Sequence, residues 1–263
     1  MSLQKNTLSI LARSGYAARA VVYLLVGGLA LLAALGAGGK TTGGKGALQT
    51  LLDEPFGTVI LTCIGIGLLA YALWRVVQAV ADADGHGTDF KALSIRASLL
   101  TSAVLHFLLA FFVFKLILSA GSEQTKNNTS LVGDLMGSFP GRALLIFAAL
   151  AIVVAGLSHA YKGWAVRFDR HFAVPASLQS WLYPLCRIGL ISRGVVLVIV
   201  GGLLMLAVYH LDASQAGGMD KAFAWLREQT LGNVLLAVIS VGLLAFAAYS
   251  LIEARYRKIN LRG

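Results

Sequence analysis

The stretch R-S-G-Y-A-A-R, residues 13–19, decides the fold because R-I-G-L-I-S-R, residues 187–193, repeats its frame. Each places two arginines around an early glycine and leads directly into a long apolar run. Extended at a constant offset of 174, residues 13–32 match residues 187–206 at ten of twenty positions, including Arg13/Arg187, Gly15/Gly189, Arg19/Arg193, Gly27/Gly201 and Gly28/Gly202. Residues 56–74 match residues 231–249 at nine of nineteen, at an offset of 175. Shared apolar composition does not align arginines and glycines in this way. The two ends of the chain are copies of one unit.

The offset is twice a unit of roughly 87 residues, so a third copy is predicted between the other two. Arg96 stands where Arg13 and Arg187 stand, Pro140-Gly141 resembles Pro55-Phe56-Gly57, and Tyr161-Lys162 resembles Trp74-Arg75. The middle copy lacks the glycine and the second arginine, with Ser98 and Ser102 in their places. The three repeats span about 10–85, 93–170 and 184–260 of one membrane domain.

Each unit is built for a bilayer. Of 263 residues, 57% are hydrophobic and 13% charged, and the mean hydropathy is +0.77. About 18 uncharged, mostly apolar residues suffice to read a membrane helix. Six stretches meet that length: 20–37, 56–74, 97–114, 143–161, 194–211 and 231–252. Too little polar chain remains to cover six such runs in water. The first recurs as the fifth, which argues against a cleaved signal peptide. Two spans return a repeat to its starting side, so the copies share one orientation and predict a six-helix, all-α bundle with pseudo-threefold symmetry about the membrane normal.

The net charge of +10 is a topology signal. Of 22 Lys and Arg, 15 fall on the side of the termini and of the loops after spans two and four, against seven on the other side. Cationic segments stay in the cytoplasm, which places both termini there. Nucleic-acid binding is excluded for want of a polar basic domain. The expected contacts are instead anionic lipid headgroups, made by Arg13, Arg96 and Arg187 at the helix entrances and by Arg19 and Arg193 snorkelling back from the first turn. Gly15 and Gly189 are expected to bend the chain into the membrane there. The two cysteines, Cys63 and Cys186, predict neither a disulfide nor a metal framework.

A second repeated signature precedes each even-numbered span. Ala47, Leu48, Leu51 and Leu52, then Leu131, Val132, Leu135 and Met136, then Ala222, Phe223 and Leu226 have the spacing of short amphipathic helices, here expected to tie the outer loops to the membrane surface.

With R-S-G-Y-A-A-R-A-V-V-Y (13–23), G-A-L-Q-T-L (46–51), P-F-G (55–57), G-L-L-A-Y-A-L-W-R (67–75) and the threefold repetition, the chain resembles the bacterial membrane proteins grouped as domain of unknown function 1206. The resemblance implies a bacterial inner-membrane protein with a two-helix region present three times. It implies no reaction and no catalytic residues.

The candidate polar residues within the membrane are Ser98, Ser102 and His106 on one ridge of the third span, and His159, which follows Ala151 and Ala155 on the fourth. Small-residue ridges allow close helix contact, so both histidines are expected to face protein and to hydrogen-bond across an interface. Bis-histidine haem ligation is disfavoured, since the two differ in depth by about 8–10 Å at 1.5 Å rise per residue. Gly27, Gly28, Gly201 and Gly202 are candidate packing positions. The segment D-A-D-G-H-G-T-D (82–89) lacks the ligand spacing of a calcium loop and reads as a solvated turn. Glu253 and Arg255 are expected to pair with a neighbouring loop.

No phosphate-binding glycine loop, zinc-spaced histidine pair or serine elbow is present in the sequence. The expectation is a non-enzymatic scaffold or accessory subunit of a membrane complex, without cofactor or metal. The competing reading is a small transporter or channel with a path along the pseudo-threefold axis. It requires Ser102, His106 and His159 to line a solvated cavity.

Overall fold

The computed structural model describes residues 2–85, 87–119, 129–169 and 172–258. Within them the chain is helical: α1 (Ser2–Ala34), α2 (Gly44–Leu52), α3 (Gly57–Val80), α4 (Phe90–Leu118), α5 (Thr129–Met136), α6 (Phe139–Trp164), α7 (Ala176–His210), α8 (Met219–Arg227) and α9 (Gly232–Tyr256). A 3-10 turn at Ala213–Gln215 and a single bridge between Phe172 and Arg257 complete the description, and no strand occurs among the described residues. Six helices, α1, α3, α4, α6, α7 and α9, are long and apolar enough to cross a membrane. Each is at least 24 residues long, or about 36 Å at 1.5 Å per residue, against a hydrocarbon core of about 30 Å.

The short helices α2, α5 and α8 fall on the three predicted amphipathic segments. They are folded onto the bundle. Ala47, Leu48, Ala222, Phe223 and Leu226 are buried in the main core, α2 against α1, α3 and α4, and α8 against α7 and α9.

The long helices pack in the order α4–α3–α1–α9–α7–α6. Gly15 and Gly189 do not bend the chain, since α1 and α7 run unbroken through them. They let backbones touch. A Cβ on Gly15 would lie 2.6 Å from Cα of Tyr71 on α3, and one on Gly189 would lie 2.5 Å from the Phe246 amide nitrogen on α9. The reciprocal positions Gly67 and Gly242 receive Ala18 and Ser192 in the same manner. The first and third repeats are thus each closed by a pair of glycines that no side chain can replace without moving backbone.

The middle repeat is open. Its two spans, α4 and α6, make no comparable contact among the described residues. In the alignment that pairs Arg13 with Arg96 and Trp74 with Tyr161, Gly15 becomes Ser98 and Gly67 becomes Val154. Both glycines of the close contact are gone. Ser98 is exposed, and Val154 is 63% exposed. The opening follows from the sequence: a hydroxymethyl and an isopropyl group occupy the space through which the backbones of the other two repeats approach.

Two of the four glycines proposed for packing do pack. Gly27 abuts Ser240 and Leu244 of α9, and Gly201 abuts Ala149 and Val153 of α6. Gly28 and Gly202 have nothing within 4 Å of a built Cβ, which corrects their assignment as packing residues. They sit one residue, about 100° of helix, away from the contacting face.

Candidate functional site

The entrance arginines cap helices. Arg13 Nη1 donates to the carbonyls of Ala254 (2.8 Å) and Arg255 (2.6 Å) at the end of α9. Arg96 donates from Nε to Ala79 O (2.5 Å) and from Nη2 to Val80 O (3.1 Å) at the end of α3. In each case the first arginine of a repeat satisfies the terminal carbonyls of another repeat's second span, where a cation also complements the helix dipole. Arg187 lies half-buried at the same level, its backbone carbonyl against Gly163 of α6.

The second arginines turn inward, correcting the expectation that Arg19 and Arg193 snorkel to headgroups. The Arg19 side chain is 4% exposed. Its Nη2 pairs with Glu253 Oε2, its Nε donates to Ser250 Oγ (3.1 Å) and its Nη1 donates to the Tyr71 hydroxyl. Glu253 also accepts from Arg257 Nη1 (2.7 Å), and Arg257 Nη2 bridges both Asp84 oxygens (3.2 and 3.1 Å). Asp84 accepts from Gln78 Nε2 (2.8 Å), and Gln78 Oε1 accepts from Arg75 Nη1 (3.0 Å). Arg75 Nε returns to the Tyr71 hydroxyl (2.8 Å). Beside this network Trp74 Nε1 donates to the Tyr16 hydroxyl (3.0 Å).

This network joins α1, α3, the α3–α4 turn and α9 at the end of the bundle that carries the described termini. Arg257 lies past the end of α9, and burial there works against its charge while the Tyr16 hydroxyl and the Glu253 and Asp84 carboxylates hold its pKa above the ordinary arginine value. Glu253 therefore pairs with Arg19 and Arg257, whereas Arg255 is exposed. The carboxylates of the 82–89 segment also find protein partners. Asp84 joins the network, Asp82 accepts from the Gly87 amide, and Asp89 caps α4 by accepting from the Ala92 amide. His86 lies outside the described residues.

Arg193 differs from its counterpart. Its guanidinium rests over Tyr23 (5.0 Å to the ring centroid) and Phe246 (4.5 Å). Arg19 lies over that same Phe246 ring at 5.1 Å. The Nε and Nη1 atoms of Arg193 are buried and have no hydrogen-bond partner among the described residues.

The two histidines lie on α4 and α6. His106 meets the Tyr71 ring edge-on at 4.5 Å. Both His106 and His159 are half-buried. The hydrogen bonds that their Nδ1 atoms make to backbone stay within their own helices. His106 Nδ1 bonds Ser102 O (2.7 Å) and His159 Nδ1 bonds Ala155 O (2.8 Å). A carbonyl only accepts, so Nδ1 carries the proton in each ring. Among the described residues the bonds seen for the two rings are these i−4 bonds and the approach of the Ser102 hydroxyl, the usual recourse of a polar side chain within an apolar helix. Ser102 is half-buried, its hydroxyl 3.5 Å from His106 Nδ1, and Ser98 Oγ donates to Ile95 O (2.7 Å) at an exposed position.

Residues Tyr16, Tyr71, Trp74, Arg75, Gln78 and Asp84 carry the network without standing out in the sequence. The signal available was the paired Trp74-Arg75 and Tyr161-Lys162 alignment, which marks a recurring span end.

Comparison with known proteins gives a family and no activity. The model of the family described as Domain of Unknown Function (DUF1206) matches residues 14–82, 97–165 and 188–257, one match per repeat. The uncharacterized protein YxxB of Bacillus subtilis (strain 168) is 29% identical over 254 residues, covering 94% of this chain and 90% of that protein. No solved structure matches.

Proposed function

The chain belongs to the DUF1206 family, and on that premise we propose that it is a non-enzymatic accessory subunit or scaffold of a larger membrane complex. The bundle has pseudo-threefold symmetry with its seam open in the middle repeat. It sits in a bacterial inner membrane with both termini in the cytoplasm, where the basic excess meets anionic headgroups.

The observation that carries the reading is the distribution of burial. Along the most apolar window of α4 and of α6, 17% of residues are buried, against 50% for α1, 44% for α3 and 56% for α9. The outer faces of α4 and α6 present large side chains, among them Phe107, Phe111, Phe147 and Leu150, all more than half exposed. A transmembrane partner seated on those faces would bury them to the extent that the other repeats bury theirs. The interior favours this over transport along the axis, because Tyr71, Arg19, Phe246, Arg193 and Tyr23 form a continuous line of contacts linking α3, α1, α9 and α7.

Native purification in a mild detergent, with mass spectrometry of all co-purifying proteins, tests the proposal. A stoichiometric membrane-protein partner is expected. A chain that purifies alone, from membranes whose other complexes stay intact, overturns it.

A further inference from the structure

The two inward arginines occupy matching positions, and one has a counter-ion. Opposite Arg19, α9 offers Ser250 and Glu253. In the repeat alignment that pairs Tyr249 with Tyr161, the residues corresponding to them are Lys162 of α6 and Ala165 just past its end. The carboxylate has been replaced by a methyl group and the hydroxyl by an ammonium. Arg193 is left on two aromatic faces with two buried N–H-bearing nitrogens unsatisfied among the described residues. Four guanidinium groups of this region, from Arg19, Arg75, Arg193 and Arg257, face two carboxylates, Glu253 and Asp84. A cation at this depth without an anion is costly, and aromatic faces offset part of that cost.

The open seam supplies a route for the missing anion. Ser98 and Thr101 on α4 and Val154 on α6 correspond to the residues that close the other repeats, and all three are exposed. The seam lies between two apolar spans, so it opens to lipid and not to water. Arg193 is six residues past Arg187, about 9 Å deeper by helical rise, which is within reach of a headgroup drawn slightly below the interface. Lys162, Arg167 and Arg187 stand at the same end of the bundle and favour a ligand with net negative charge.

We propose that Arg193 is the receptor for the phosphate of an anionic phospholipid that enters the bundle sideways between α4 and α6. The phosphodiester oxygens take the buried Nε and Nη1 hydrogens, and the acyl chains lie along Val154 and the neighbouring apolar faces of the two spans. His106 and His159 flank the entering headgroup. This ligand is independent of any protein docked on the outer faces of α4 and α6.

The test uses the full chain, stripped of phospholipid in dodecyl maltoside and titrated with phosphatidylglycerol or phosphatidylcholine under native mass spectrometry. One tightly held phosphatidylglycerol per chain is expected. Arg193→Met should weaken it by about tenfold or more, the effect of losing a charge-assisted hydrogen bond. Arg255→Met, which removes an exposed cation at the same end, should bind as the wild type does. Should Arg193→Met not fold, Arg193→Lys is read in its place, with weaker binding again expected. Unchanged phosphatidylglycerol affinity in the Arg193 variant overturns the proposal. So does thermal stabilisation of the wild type by inorganic phosphate equal to that by the lipid, which would make the ligand a soluble anion. A co-purifying protein released by Arg193→Met, with lipid binding intact, also overturns it and assigns the anion to a partner's carboxylate. Absence of any partner in the wild type bears on the accessory role alone and leaves the lipid titration unaffected.

Discussion

Arg19→Met should cost clearly more stability than Arg193→Met, although the two residues share one position of the repeat. Methionine is chosen because it keeps most of the side-chain volume and removes the charge. At Arg19 the change deletes the pair with Glu253 and the bonds to Ser250 and Tyr71, all in a site where the arginine and glutamate side chains are 4% and 2% exposed. Breaking a buried pair from one side costs about 3–5 kcal/mol, because the other charge stays behind. Here Glu253 keeps Arg257 at 2.7 Å, so the low end, about 3 kcal/mol, is expected. At Arg193 no carboxylate is stranded. Replacing a buried charge by a packed apolar residue stabilises by about 1–4 kcal/mol where the charge is poorly compensated. Loss of the contacts with Tyr23 and Phe246 takes back about 1–2 kcal/mol. The net for Arg193→Met runs from about 1 kcal/mol of destabilisation to about 3 kcal/mol of stabilisation in phospholipid-free neutral detergent, against the loss of about 3 kcal/mol at Arg19. Unfolding both variants by sodium dodecyl sulfate titration from dodecyl maltoside micelles reads the difference directly. Equal destabilisation of the two variants, or a greater loss at Arg193, would refute the reasoning that the first arginine is paired and the second is not.

The glycines separate in the same assay. Gly15→Ala and Gly189→Ala drive a methyl group into the backbones of Tyr71 and Phe246 and should each cost about 1–3 kcal/mol, whereas Gly28→Ala and Gly202→Ala meet nothing and should be neutral or slightly stabilising. Arg13→Ala and Arg96→Ala remove the donors to the last carbonyls of α9 and α3, and each should cost about 0.5–2 kcal/mol. Faster amide exchange confined to the last turn of the uncapped helix is expected with that loss, and uniform exchange across the bundle would exclude the capping role.

The architecture was legible because a membrane simplifies the code. Six apolar runs can only be helices in lipid, since every backbone N–H and C=O must be satisfied within its own segment. The doubled R-x-G-x-x-x-R then set the repeat, and the i, i+1, i+4, i+5 spacing marked α2, α5 and α8. What the arginines do was not legible. Snorkelling is the default for a cation in the first turns of a span, and nothing local to Arg19 contradicts it. Its partner Glu253 lies 234 residues away, and a single sequence does not say that α1 packs on α9. The bonds of the histidines were no more legible. Small-residue ridges mark where helices can approach, and on the ridge of α4 His106 meets Tyr71 of α3 through its ring while Ser98 is exposed. The opening of the middle repeat was written in the sequence all along, as Ser98 for Gly15 and Val154 for Gly67, but a substitution for glycine carries meaning only once the backbone it would strike is known. Read with the structure, three departures of the middle repeat have one consequence. Ser98 and Val154 stand where the glycines of the other repeats let the spans touch, while Ala165 stands in the alignment place of Glu253, and Arg193 has no carboxylate partner among the described residues. Drift that merely loosened a helix pair would have no cause to open the bundle on the side where a positive charge is left uncompensated. The coincidence of an open seam with an unpaired cation is what a binding site requires.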